Sequence, residues 1–263
     1  NTFRLIGFGF GPIVAGVVVE RFGFDAAFAV AVVGAFVSFG LVTLLVDDPE
    51  DTEAAASDDL SVAVTGSDSL LDPVFTLGLA TVAMGICIAM FATLEGQIND
   101  RLGQGTFLFG VQFGAVTLAN VALQIPVGRA TDRYGRRPFL VAGFVLLVPA
   151  TALQGFVTTP LSMVAVRLAL GVAVALVFAP ALAVAGDLAR EGESGTTLSV
   201  LTMAFGLGVA IGPLSSGFLE RFGFAVPFVA GAALAVVALG LVLTQVEETR
   251  PRDRPGGSPV PQD

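Results

Sequence analysis

Apolar stretches near 20 residues alternate with short polar breaks along most of the chain. Because an α-helix rises 1.5 Å per residue, about 20 apolar residues cross the hydrocarbon core of a bilayer. The stretches predict helices at 3–19, 26–46, 74–94, 107–127, 139–157, 161–186, 196–219 and 225–246. This pattern predicts an all-α integral membrane protein with eight transmembrane helices.

Two segments interrupt this alternation. Residues 47–72 carry nine acids and no Arg, and residues 247–263 are polar and rich in Pro. Segments that are poor in apolar residues and rich in charge or Pro do not form a packed core. We therefore expect helices at 1–46, an acidic cytoplasmic linker at 47–72, a helical bundle at 73–246 and a disordered tail at 247–263.

Composition narrows the class of protein. Hydrophobic residues make up 54% of the chain and charged residues only 13%, whereas soluble domains have about 25% charged residues. The chain has no His and a single Cys, which excludes an internal disulfide and argues against a His/Cys metal site. We expect no enzyme activity, cofactor, metal or nucleic-acid partner.

The charged residues suggest the salt conditions of the source and the orientation of the chain in the membrane. All 13 basic residues are Arg and the net charge is −9, a balance typical of proteins from molar salt, where charges are strongly screened. A halophilic source is thus a hypothesis, which equal stability in low salt would contradict. The predicted helices place three Arg on one side, Arg21, Arg101 and Arg221, and nine on the other, Arg4, Arg129, Arg133, Arg136, Arg137, Arg190, Arg250, Arg252 and Arg254. The positive-inside rule puts those nine, and both termini, in the cytoplasm.

An internal repeat extends this topology. A Gly-Pro block shifted by 201 positions (Gly11 to Gly212) is followed by a Glu-Arg-Phe-Gly-Phe block shifted by 200 (Glu20 to Glu220). The first and seventh predicted helices are therefore the same element of two six-helix units. Parallel six-helix repeats are a transporter architecture, so we expect the chain to hold helices five to twelve of twelve and to lack the first four.

Residues 128–137 lie between the fourth and fifth predicted helices and read Gly-Arg-Ala-Thr-Asp-Arg-Tyr-Gly-Arg-Arg. They resemble the cytoplasmic loop motif of the major facilitator superfamily, Gly-x-x-x-Asp-Arg-x-Gly-Arg-Arg. The resemblance implies a latch that stabilises one access state, with a partner acid at the end of helix ten. On this chain the latch residues are Gly128, Asp132, Arg133, Gly135, Arg136, Arg137 and Asp187.

Physical chemistry gives these residues matching roles. The two glycines allow a tight turn between helix ends, Asp132 can accept from amides at a helix N-terminus, and the arginines can pair with carboxylates or lipid phosphate. A simple positive-inside anchor remains the alternative for the arginines.

The two Gly-Pro copies resemble the helix-five motif of the superfamily's antiporter branch, which implies efflux. Gly at i and i+4 makes a flat face for close packing, and Pro bends the helix. Tight packing without directional meaning is the alternative. The motif residues are Gly7, Gly11, Pro12, Gly16, Gly208, Gly212, Pro213 and Gly217.

Polar residues inside the predicted helices are candidates for lining a cavity. Arg167 begins Arg-Leu-Ala-Leu-Gly, which resembles an Arg-x-x-Gln-Gly element of the superfamily with Leu170 in place of Gln. An Arg inside a span is costly and should face a cavity or a partner. The other candidates are Gln112, Thr117, Asn120, Gln124 and Glu95. Interhelical hydrogen bonds, or an interfacial position for Glu95, are the alternatives.

The resemblance implies a monomeric plasma-membrane transporter that exports a small organic solute by alternating access, coupled to protons or sodium. Its partners would be the lipid bilayer, the solute and the coupling ion. A non-transporting or truncated protein of the same fold, and an uptake carrier for sugars or organic acids, remain alternatives.

Overall fold

The computed structural model describes residues 2–45, 71–188 and 194–248, in which all regular structure is helical. The predicted linker up to residue 70, the tail after residue 248, and Arg190 lie outside these residues. The helices are α1 (Thr2–Phe22), α2 (Phe24–Leu45), α3 (Pro73–Ala89), α4 (Glu95–Leu102), α5 (Thr106–Tyr134), α6 (Arg137–Leu153), α7 (Pro160–Leu188), α8 (Ser194–Leu219) and α9 (Val226–Gln245).

Each predicted span corresponds to one helix, except that the third, 74–94, covers α3 and a 3₁₀ turn (Ala92–Leu94), and α4 follows it outside any predicted span. Six of the spans in the described residues are long and apolar enough to cross a membrane: α2, α3 with α4, α5, α7, α8 and α9. At 17 residues, α6 is a shorter apolar helix. The all-α membrane fold predicted from hydropathy is confirmed.

The helices pack in an order that differs from their order in the chain. Helix α1 packs against α5, α5 against α7, α7 against α6, α6 against α9, α9 against α3, and α3 against α8. The main core lies among α3, α6, α7 and α9 and includes Met84, Phe144, Val177 and Ala235. Helix α2 has no buried residue and packs mainly against α1. Its exposed apolar side chains suit a lipid environment, which needs no polar surface.

Two local features fix the start of α3. Asp72 caps α3, because its Oδ1 accepts hydrogen bonds from the backbone N–H of Val74 (2.8 Å) and Phe75 (3.1 Å). Pro73 occupies the first helical position, where its missing N–H costs nothing. Beside this cap, Leu71 N donates to Gln245 Oε1 at 3.2 Å, so the start of α3 contacts the end of α9.

One expectation is corrected. The sequence predicts a loop from 128 to 137, but α5 continues through Tyr134 and only Gly135 and Arg136 separate it from α6. Gly128 is therefore a helical residue, and its carbonyl accepts from Thr131 Oγ1 at 2.7 Å. The apolar stretch ends where the hydrocarbon ends, whereas the helix continues into the polar zone because its backbone hydrogen bonds are internal.

Candidate functional site: the two ends of the bundle

The end of the bundle that carries the α5–α6 turn is called here the Arg-rich end. The turn depends on Gly135, whose φ is +99°, a conformation that favours glycine. The carboxylate of Glu248, just after α9, accepts from the backbone N–H of Arg136 (2.9 Å) and Arg137 (3.1 Å). A Cβ on Gly135 would lie 2.6 Å from Glu248 Oε2. A negative charge at the first turn of α6 complements the helix dipole.

Arg136 connects three helices at this end. Its Nη1 donates to the carbonyl of Ala183 and to Asp187 Oδ2, both in α7. Its Nη2 lies 3.7 Å from Asp132 Oδ1 in α5. A charge-assisted contact of this kind is stronger than a neutral hydrogen bond. The structure thus brings together Asp132, Arg136 and Asp187, three of the predicted latch residues.

The remaining latch residues have separate contacts. Arg137 Nη2 donates to the carbonyl of Leu243 in α9 at 2.7 Å, and the guanidinium of Arg133 lies 5.4 Å from the centre of the Tyr134 ring. The side chain of Asp132 is 67% exposed. Its carboxylate is therefore available to a further group at the Arg-rich end.

At the opposite end, α1 meets α5 along a line of small residues, which is called here the α1–α5 seam. A Cβ on Gly16 would lie 2.7 Å from the Thr106 carbonyl oxygen, and one on Gly110 would clash with the carbonyl of Pro12. Only glycine allows two helix backbones to approach this closely. A Cβ on Gly7 or Gly11 would meet nothing within 4 Å, so these two predicted motif residues take no part in the seam.

The second Gly-Pro copy contacts a different neighbour, α3. Cβ atoms on Gly208 and Gly212 would lie 3.0 Å from Gly85 Cα and 2.9 Å from the Ile86 carbonyl oxygen, respectively. Beside them, Thr93 Oγ1 and Ser216 Oγ are hydrogen-bonded at 2.7 Å, and Thr93 Oγ1 also donates to the Pro213 carbonyl at 3.4 Å. The predicted motif residue Gly217 has open space beside it.

Arg167 in α7 is fully buried. Its Nε donates to the Gln112 carbonyl at 3.1 Å, and Nη1 donates to Gln154 Oε1 at 3.3 Å. Its guanidinium stacks 4.0 Å from the centre of the Phe91 ring, while Nη2 has no hydrogen-bond partner in the described residues. Arg167 therefore joins α5 to the end of α6 inside the bundle, and its role as a cavity residue stays a prediction.

The polar residues predicted on α5 lie in different environments. Gln112 is buried and exchanges hydrogen bonds with Gln104 at 2.7 and 3.0 Å, so it belongs to the Arg167 cluster. Thr117 lies at the seam beside Gly9. Asn120 is buried and Gln124 half-buried, and their role as cavity residues stays a prediction.

Glu95, the first residue of α4, lines a cavity of about 280 Å³ between α1, α2 and α5. The other walls are largely apolar and include Val19, Phe28, Thr106 and Phe109. The cavity lies at the seam end of the bundle, away from the Arg-rich end.

Several residues of these two ends were missed by the sequence analysis. Glu20 accepts from the Phe107 N–H of α5 at 2.9 Å, Glu248 caps α6, and Gln104 and Gln154 serve the Arg167 cluster. The only sequence signal was the recurrence of Glu20 as Glu220. Contacts between residues 87 or 112 positions apart leave no local pattern.

The chain matches the Major Facilitator Superfamily over residues 75–262. It is 28% identical, over 66% of its length and 46% of the relative's, to an uncharacterised MFS-type transporter of Methanocaldococcus jannaschii. It is 31% identical to the MFS-type transporter ppzB of Metarhizium majus (47% of this chain, 27% of that protein) and 28% identical to the multidrug resistance protein MdtH of Yersinia pestis (60% and 39%).

The chain matches less than half the length of each of these curated relatives. The family match covers more than half of the chain, and the helical fold agrees with it. The chain belongs to the major facilitator superfamily of membrane transporters.

Proposed function

We propose that the chain is part of a secondary active transporter that exports a small organic solute by alternating access, coupled to proton or sodium antiport. The observation that carries the proposal is the Arg136 cluster. It ties α5, α6 and α7 together at the Arg-rich end and leaves the Asp132 carboxylate exposed. Such a carboxylate can dock on a helix N-terminus of another bundle and release it again, which a two-state carrier needs.

The α1–α5 seam supports the export direction. The backbones of α1 and α5 are in direct contact at the seam end, so solute has no path between these two helices from that side. A carrier closed there loads from the Arg-rich end. One relative, MdtH, is named a multidrug resistance protein, and that name also favours efflux.

The proposal includes the location. Arg-rich loops face the cytoplasm, so the Arg-rich end and both termini would be cytoplasmic in the plasma membrane. The protein would act as a monomer in the bilayer and would need the solute and coupling ion as its only ligands.

The test is efflux of a panel of lipophilic cations from vesicles under an imposed pH or sodium gradient. Arg136→Ala and Asp132→Asn are measured beside Arg129→Ala. This control removes an exposed Arg of the same end that makes no contact of the Arg136 kind with any described residue. We expect Arg136→Ala to reduce gradient-driven efflux about tenfold or more, since a charged hydrogen bond contributes about 1.5–3 kcal/mol. Asp132→Asn should reduce efflux as well, and Arg129→Ala should leave it near the parental rate.

If Arg136→Ala and Arg129→Ala reduced gradient-driven efflux equally, the result would contradict the latch and favour a simple charge anchor. If the well-folded protein moved no cation in either direction, export of this class would be abandoned. Uptake of sugars and organic acids would then be measured in the same vesicles.

A further inference from the structure

Glu20 stands at the junction between the two repeat units predicted from the sequence. It lies at the end of α1, in the first unit, and its Oε1 accepts from the backbone N–H of Phe107 at 2.9 Å, in the second unit. Phe107 is the second residue of α5, a position whose N–H has no intrahelical partner. Glu20 therefore supplies a capping hydrogen bond to a helix whose first turn is 87 residues away in sequence.

Helix α5 has no capping side chain of its own. Its N-cap residue is Gly105, which makes no side-chain hydrogen bond. A Cβ on Gly105 would collide with Glu20 Oε1. The absent side chain at Gly105 thus leaves the space that the Glu20 carboxylate occupies. A carboxylate at this position is also favoured by the positive end of the helix dipole.

The same arrangement occurs once more in the described residues, at the Arg-rich end. There Glu248 caps α6 beside Gly135, whose Cβ position it likewise occupies. The two caps differ in what they join. Glu248 links α9 to α6, two helices of the second predicted unit, whereas Glu20 links α1 of the first unit to α5 of the second.

We propose that Glu20 is a positioning residue of the transport cycle: its bond to the first turn of α5 holds the α1–α5 seam closed, and it must break each time the seam end opens. The proposal rests on the alternating-access function proposed above. Below the cap, glycines allow contact but provide no polar bond across the seam. Glu20 supplies the one charged hydrogen bond seen between α1 and α5 in the described residues.

The repeat supplies a matched control. Glu220 is the counterpart of Glu20, but no hydrogen bond to its carboxylate occurs among the described residues. Glu220→Ala therefore removes a carboxylate at the same motif position without removing a helix cap.

The experiment measures opening directly, by the rate at which a membrane-impermeant maleimide, added outside intact cells, labels Thr117→Cys. Thr117 lies deep in the seam beside Gly9, eleven positions beyond the first residue of α5. The native Cys87 is fully buried and gives the background. We expect Glu20→Ala to raise the labelling rate about fivefold, the population shift that loss of one helix cap produces.

Gly105→Ala should raise the rate by a similar factor, because its methyl group displaces the Glu20 carboxylate. The double variant Glu20→Ala/Gly105→Ala should label no faster than either single variant, since both changes remove the same bond. Glu20→Gln, which keeps an acceptor but loses the charge, should give an intermediate rate. Glu220→Ala should label at the parental rate.

A parental labelling rate in Glu20→Ala would overturn the proposal. So would a double variant whose increase in labelling rate is the product of the two single increases. If Cys87 also becomes labelled in Glu20→Ala, that variant is unfolded and Glu20→Gln decides, with a parental rate again overturning the proposal. Labelling requires no substrate. A failure of this proposal is therefore distinct from a failure of the efflux assay.

Discussion

Helices α1 and α8 carry two copies of one motif and use them against different neighbours. In α1 the close contacts are made by Pro12 and Gly16 against α5, whereas in α8 they are made by Gly208 and Gly212 against α3. The first copy leaves Gly7 and Gly11 open, and the second leaves Gly217 open. A Gly-Pro motif therefore offers two small-residue faces, and the neighbouring helices decide which face is in contact.

The two copies also end differently. The first runs as α-helix to Phe22, while the second ends at Leu219 and continues as a 3₁₀ turn, Glu220–Phe222. The second copy has one residue fewer between its Gly-Pro and Glu-Arg blocks. Both then turn at a glycine with positive φ, Gly23 at +84° and Gly223 at +134°. Both copies share the glycine turn, but the backbone before it is α-helical in the first copy and 3₁₀ in the second.

The largest expected effect on stability compares equivalent glycines of the two motif copies, one in contact with a neighbouring helix and one in open space. Gly208→Leu places a side chain against the backbone of α3 near Gly85, and overpacking of this kind costs about 3 kcal/mol. Its counterpart Gly7→Leu enters open space and should change stability by less than about 0.5 kcal/mol. Thermal unfolding in detergent compares the two variants. Equal losses would show that another segment covers Gly7.

A smaller effect compares the turns. Gly223, with φ +134° and ψ +149°, lies near a region that only glycine populates, so Gly223→Ala should cost about 2 kcal/mol. Gly23, with φ +84°, lies closer to the left-handed helical region, and Gly23→Ala should cost about 1 kcal/mol. The same unfolding measurement ranks them. The reverse order would mean that the 3₁₀ turn relaxes to accommodate the methyl group.

The smallest effect concerns one hydrogen bond. Ser216 is buried and bonded to Thr93, so Ser216→Ala should cost about 1 kcal/mol. Its counterpart is Ala15, which is exposed, and Ala15→Ser should be neutral. A double-mutant cycle with Thr93→Ala checks the assignment, since the two losses should not add. Full additivity would place the stabilising role of Ser216 elsewhere.

Particular elements show how far sequence reasoning reached. The eight spans were predictable because a bilayer imposes a length of about 20 apolar residues on each helix. The continuation of α5 from residue 127 to Tyr134 was not, because hydropathy marks the end of the hydrocarbon and not the end of the helix. The repeat predicted the equivalence of α1 and α8 but not their different neighbours.

The candidate site was predictable where its residues form a local motif. Asp132 and Arg136 are four residues apart in the sequence and were found together, and Asp187 was placed beside them by resemblance. Glu20 and Glu248 were missed because each caps a helix remote in sequence. Arg167 was singled out from the sequence as costly inside a span, and its contacts with Gln112, Gln154 and Phe91 show how it is accommodated.

The sequence by itself determined the bilayer environment, the number and type of the spans, the repeat and the family. Each of these follows from hydropathy or from a contiguous motif. Tertiary structure decided which glycine face is in contact, which carboxylate caps which helix, and which Arg joins which pair of helices. Those outcomes depend on close approach between segments far apart in the chain. In a bilayer such approach is set by backbone shape and by the few available hydrogen bonds, since apolar side chains contact lipid as readily as they contact one another.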